Sequence, residues 1–205
     1  MGNPATLSQA PQAAPPQSHE RAAAAAVRLF VGFAAFGAGA VNLAISSSFL
    51  AGAAGAPGST EYTAAVLAGL WGAGLTTAAV LHFARGNVPF RGPVRAALMA
   101  AAVVHVAAVV LSTPATSKLA LSHLAALLLT LMITAAAAWL RRSGDRKGGA
   151  PPPQQPGRLL LAAFAGAVLV AGITTPGLAA SSAGEWAVPH GGHGIPSLPG
   201  DHHQR

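Results

Sequence analysis

Two apolar runs, Val94 to Ser112 and Leu119 to Leu140, follow each other with only a few residues around Pro114 and Lys118 between them. Each is about 20 residues long, the length at which a helix rising ~1.5 Å per residue crosses a ~30 Å hydrocarbon layer. Within such a layer no water satisfies backbone N–H and C=O groups, so both runs must be helical, and their short link makes them a membrane hairpin. Each arm carries one histidine, His105 and His123. These are the ionisable side chains placed most clearly inside the hydrocarbon.

Three further apolar stretches, at about 26–50, 63–84 and 159–180, are long enough to cross as well. The expected fold class is therefore all-α, a polytopic transmembrane helix bundle of five spans with disordered tails at 1–25 and 181–205. Composition points the same way: charged residues make up 8% of the chain and hydrophobic ones 52%. A soluble domain carries roughly 25% charged residues, so the missing charge implies lipid as the solvent.

The basic residues fall almost wholly on one side. With five spans, one alternating set of connections and ends holds Arg21, Arg28, Arg85, Arg91, Arg95, Arg141, Arg142, Arg146, Lys147 and Arg158, and the other holds Lys118 and Arg205. By the positive-inside rule this bias puts the amino terminus in the cytoplasm and the carboxyl-terminal tail outside a plasma membrane. The net charge of +7 is then an orientation signal spread over short clusters, and nucleic acid is not an expected partner. Abundant Ala, Gly and Pro, with Arg far above Lys, resemble the composition of a high-GC bacterial protein. The basic segment before the fifth span, its apolar core and Gly177-Leu178-Ala179-Ala180-Ser181 also fit a signal peptide with a small-residue cleavage site. Release of the tail near Ala180 is thus a second reading of residues 141–181.

Small and polar residues recur at four-residue spacing on two spans. Ala34, Ala38, Asn42 and Ser46 form one stripe, and Ala65, Gly69, Ala73 and Thr77 another. Such stripes are expected packing faces, where helix backbones approach closely and Asn42 finds a protein partner instead of lipid. On the fourth span His123 shares a face with Ala126, Thr130 and Thr134, while on the third His105 sits among Ala101, Ala102 and Ala108. Counted from the hairpin turn, His105 lies ~10 Å and His123 ~6 Å deep, so the two share the outer half of the membrane with Asn42. Glu61 is expected at the outer mouth of the second span, His82 near the opposite interface in contact with water, and Pro176-Gly177 as a break late in the fifth span.

Polar groups at membrane depth face a bundle interior or a wet cavity, so Asn42, His105 and His123 are a candidate buried polar site. The alternative is that each histidine is neutral and bonded to a Thr or backbone carbonyl of a neighbouring helix. In the tail, His190, His193, His202 and His203 stand among Gly and Pro, and imidazoles in such a segment can take Cu(II) or Zn. Cysteine is absent, which excludes disulfides, thiolate metal sites and cysteine nucleophiles. Every carboxylate, Glu20, Glu61, Asp145, Glu185 and Asp201, falls in a loop or tail. No Ser-His-Asp set, phosphate loop or dinucleotide fingerprint is present in supporting context, so enzymatic activity is not expected.

Arg28-Leu29, Gly32, Phe36, Ala38-Gly39, Asn42 and Leu43 resemble the opening helix of DoxX-like small membrane proteins. That resemblance covers the first span only, and Asn42 stands where the family commonly has a basic residue. Members of that group are typically four-helix bundles, some accompanying quinone-linked oxidoreductases, so the resemblance implies a redox-accessory bundle, from which the fifth span here departs. The expected function is a non-enzymatic membrane component, in its most specific form an outer-face handler or sensor of Cu(II) or Zn. The other classes are a structural or accessory subunit, with a membrane-protein partner or a second copy beside it in the bilayer, and a small transporter.

Overall fold

Five helices carry the five apolar stretches. The computed structural model describes residues 17–51, 58–85, 92–144 and 156–182, and these contain α1 (Gln17–Ala51), α2 (Ser59–Arg85), α3 (Gly92–Val110), α4 (Ser117–Gly144) and α5 (Pro156–Ala179), with a single 3-10 turn at Pro114–Thr116. Each helix is long and apolar enough to cross a bilayer, with mean hydropathy of 1.7 to 2.0 over its most apolar stretch. This is a multi-pass membrane architecture, and among the described residues there is no strand. Most boundaries lie within a few residues of the expected ones. The exception is α1, which begins at Gln17, well ahead of Ala26.

The helices run up and down. Ser46 Oγ donates to the Ala65 carbonyl at 2.7 Å, while His82 Nε2 bonds the Arg28 carbonyl at 2.8 Å, so α1 and α2 are antiparallel. Ser122 Oγ donates to the Gly177 carbonyl at 2.7 Å, which fixes α4 and α5 in the same sense. One end of the bundle therefore gathers exposed Arg28, Arg85, Arg95, Arg141 and Arg142; the other holds the α3–α4 hairpin. At the hairpin end the last carbonyls of α3 are met locally, as the backbone requires in an apolar setting. Ser112 Oγ bonds the Val109 carbonyl, and Thr116 Oγ1 accepts from the Thr113 N–H. Glu61 is exposed at this end and its carboxylate accepts from the Gly58 N–H at 3.0 Å, so it caps its own helix.

α1 and α4 form the centre. α1 touches α2, α4 and α5, and α4 touches α1, α3 and α5. Val31, Ala34, Ala38, Val41 and Ile45 of α1 meet Ala126, Leu129 and Ile133 of α4 in one core cluster. Without a hydrophobic driving force between helices in lipid, close packing of small residues holds such a bundle together. At the α1–α2 crossing the backbones touch: a Cβ on Gly72 would lie 2.8 Å from the Gly39 carbonyl oxygen. At the α4–α5 seam a Cβ on Gly177 would lie 2.6 Å from the Ala125 Cβ.

Two expectations are corrected. The stripe on α2 turns away from α1 halfway, since Ala73 and Thr77 are exposed and the packing face continues through Gly72, Thr76 and Ala79. A strict four-residue row drifts by ~40° per step on a 3.6-residue helix, so contact over its length alternates three- and four-residue steps. The fifth span is not broken at Pro176, because α5 runs through it to Ala179. The Gly177 carbonyl is bonded by Ser122 and the Ala180 N–H bonds the Pro176 carbonyl, so the backbone beyond the proline remains tied down.

Candidate functional site

The architecture leaves one side open. Among the described residues, α2 and α3 share no backbone approach within 8 Å, although both flank the central pair, α2 on α1 and α3 on α4. A cleft runs between them and holds two cavities. The larger, about 700 Å³, lies toward the hairpin end and is lined by α1, α2, α3 and α4, with Asn42, His105 and His123 in its wall. The smaller, about 280 Å³, lies toward the arginine end and includes His82. Trp71 of α2 and Ala97 of α3 border both cavities.

The larger cavity contains the predicted polar site, and the structure brings its two histidines together. His105 Nδ1 and His123 Nδ1 are 3.0 Å apart, with ring centroids 5.3 Å apart. Both rings are buried, His105 to 4% exposure. Hairpin geometry produces this match, because antiparallel arms joined by a tight turn place residues of similar depth side by side. The alternative in which each ring bonds a Thr or a backbone carbonyl does not hold, since each bonds the other. Asn42 is buried in the same wall, but its Nδ2 donates to the Ala38 carbonyl of its own helix at 2.8 Å. Phe49 packs on the His123 ring at a centroid distance of 6.5 Å.

A bond between two Nδ1 atoms needs one proton and one lone pair. With both rings neutral, the donor ring has a bare Nε2 and the acceptor ring carries its proton on Nε2. One Nε2 of the pair is therefore an N–H and the other a lone pair, whichever ring donates. His105 Nε2 is buried with no hydrogen-bond partner, and so is Trp71 Nε1. Leaving such groups unpaired costs about 1–3 kcal/mol each in a buried setting, so both are poised for a partner.

His82 was expected near an interface in water. Instead it is buried against α1, where its ring meets Arg28 and Gly32. A carbonyl can only accept, so the His82 contact with Arg28 makes Nε2 the donor and leaves Nδ1 a lone pair. That Nδ1 is buried without a partner in the smaller cavity. His82 and Trp71 are buried polar groups of the cleft whose burial is not expected from the sequence; their one signal is a ring nitrogen on a largely apolar helix.

As a metal centre the cavity is incomplete. Two nitrogens on one tetrahedral ion, each ~2.0 Å from it, stand roughly 3.3 Å apart, close to the observed 3.0 Å. Yet among the described residues no group of three or more His, Cys, Asp or Glu side chains forms, and the remaining wall is almost all carbon. Two neutral rings supply half of a tetrahedral ligand set and no neutralising charge, so the described residues alone do not close a site for Cu(II) or Zn. His190, His193, His202 and His203 lie outside the described residues. Comparison of the chain with protein-family models, characterised proteins and solved structures gives no match.

Proposed function

We propose that this chain is a non-enzymatic plasma-membrane protein, with its arginine end in the cytoplasm, that binds a lipophilic small molecule in the cavity bounded by the histidine pair. The observation behind this reading is His105, a ring buried in an apolar cavity open toward lipid, with one nitrogen paired to His123 and the other unpartnered. Pockets of this kind, mostly carbon with a few convergent polar atoms, suit ligands that carry one hydrogen-bonding group on an apolar body. The cavity volume of about 700 Å³ lies in the range for such ligands. Metal handling, if the protein has it, would belong to the tail histidines and not to the bundle. An accessory role in a larger membrane complex is compatible with the same cavity. Transport is less well supported, because the half of the cleft toward the arginine end offers only His82 and Trp71 as polar groups.

Binding of 1-naphthol to the full chain in phosphatidylcholine nanodiscs, followed by its fluorescence, tests the reading. Saturable binding above that of empty nanodiscs is expected, about tenfold weaker with His105→Leu and abolished when Val104→Trp fills the cavity. Partition equal to that of empty nanodiscs would remove the proposal.

A further inference from the structure

The two cavities meet at a single pair of walls, and this suggests the shape of the ligand. Trp71 and Ala97 border both, one from α2 and one from α3, and no backbone contact between those helices closes the cleft. From His105 along α3 to Val94, which lines the smaller cavity, is eleven residues, or ~16 Å along the helix axis. The hairpin end carries a pair of facing rings, whereas Trp71 Nε1 and His82 Nδ1 each stand singly farther along the path. At the hairpin end the unpartnered His105 Nε2 is a donor or an acceptor according to the tautomer of the pair; beyond Trp71 the wall is Val31, Leu75, Leu98 and Ile133 until His82. A hydroxyl is the smallest group that is both donor and acceptor, and so matches the pair in either tautomer.

We propose that the cleft between α2 and α3 binds one elongated lipid-phase molecule, a phenol or alcohol whose hydroxyl sits on the His105–His123 pair and whose alkyl chain passes Trp71 and Ala97 into the smaller cavity. This inference rests on the reading of the larger cavity given above and adds the ligand's head group, chain and direction. The head enters from lipid between α2 and α3, where exposed Leu67, Leu70 and Val104 form apolar lips. Trp71 Nε1 and His82 Nδ1 lie along and at the end of the chain path. 4-Dodecylphenol, ring and chain together, is long enough to run the whole ~16 Å from His105 past Trp71 and Ala97. Ala97 is the residue whose size controls passage, since it is small and lies on the shared border. Gly74, on the opposite wall of the smaller cavity, has nothing within 4 Å of where a Cβ would stand.

The test uses the full chain in phosphatidylcholine nanodiscs with Trp139→Phe and Trp186→Phe, which leaves Trp71 the sole tryptophan of three. The probe is 4-dodecylphenol brominated at mid-chain. Saturable quenching of Trp71 is expected, reversed by unlabelled 4-dodecylphenol, with 4-methylphenol and the methyl ether 4-dodecylanisole each at least tenfold weaker as competitors. Gly74→Leu, which fills open space, and Ala97→Phe should each weaken 4-dodecylphenol at least tenfold and leave 4-methylphenol unchanged. Equal competition by the short and long phenols, or no effect of either substitution, overturns the chain path while the larger cavity keeps its ligand. Equal competition by the anisole overturns the hydroxyl assignment. Quenching without saturation, with 1-naphthol binding intact, places the probe in bulk lipid and overturns this inference alone; loss of 1-naphthol binding removes the reading beneath it as well.

Discussion

The α1–α4–α5 side and the α2–α3 side of this bundle are built from the same kinds of residue but are packed in opposite ways. On the first, Gly37 and Gly177 sit where a Cβ would strike Thr174 and Ala125, and Ser122 bonds across to the Gly177 carbonyl. On the second, two helices rich in Ala and Gly stand apart with buried polar atoms facing the gap. Small residues alone therefore do not make a seam in lipid. What separates the two sides is whether the small residues of one helix face those of another at the same depth, and whether a polar group bridges them.

The sharpest way to break this comparison is cross-linking, which is clean because the chain has no cysteine. A Cβ on Gly69 would lie 3.6 Å from the Ser46 Cβ, within the Cβ separation of a disulfide. Ser46→Cys with Gly69→Cys should oxidise to near-complete disulfide, read by gel mobility under reducing and non-reducing conditions. Leu70→Cys with Val104→Cys, across the cleft, should give none, because backbones more than 8 Å apart exceed disulfide reach; a longer bifunctional maleimide should join them. A direct disulfide there would mean that the cleft closes in the bilayer.

Next in size is Gly39→Leu. The new side chain meets Thr76 and the Gly72 backbone, which cannot yield as a flexible side chain would, so a loss of about 3 kcal/mol or more is expected. Loss of monodisperse protein or a large fall in unfolding temperature would register it. Gly74→Leu, on the open side, should leave the unfolding temperature nearly unchanged, which turns the two-sided difference into a measured one. The smallest effect belongs to Ser122→Ala, where one interhelical hydrogen bond is worth ~0.6 kcal/mol in a membrane protein. It should loosen α5 without unfolding the bundle, seen as faster amide exchange around Gly177.

Much of this architecture is legible in the sequence. Hydropathy fixes the spans, since each must cover the same thickness, and the four-residue stripe of α1 is buried as expected at Ala34, Ala38 and Asn42. The similar depth of His105 and His123 follows from a tight turn between arms of known length, whereas their ring contact depends on how each helix is rotated. Other features are set by neighbours and cannot be read locally. The α2 stripe fails at Ala73 because periodicity specifies a face without saying how long a partner follows it. His82 looks like an interface residue by its distance from the helix end, yet its burial depends on α1 presenting Gly32 and the Arg28 carbonyl to it. The gap between α2 and α3 is marked on α3 only by alanines around His105, a pattern that a closely packed seam would show as well.

The attachment of α3 has its own mechanical consequence. Apart from the turn that leads into α4, it leans on α4 alone, and it supplies only Leu98 to the main core cluster. Tilting α3 outward about the Pro114 turn would strain one line of contacts and leave the α1–α2 and α4–α5 pairings untouched. The width of the opening thus depends on how one helix is held by one neighbour, and the His105–His123 bond is part of that hold.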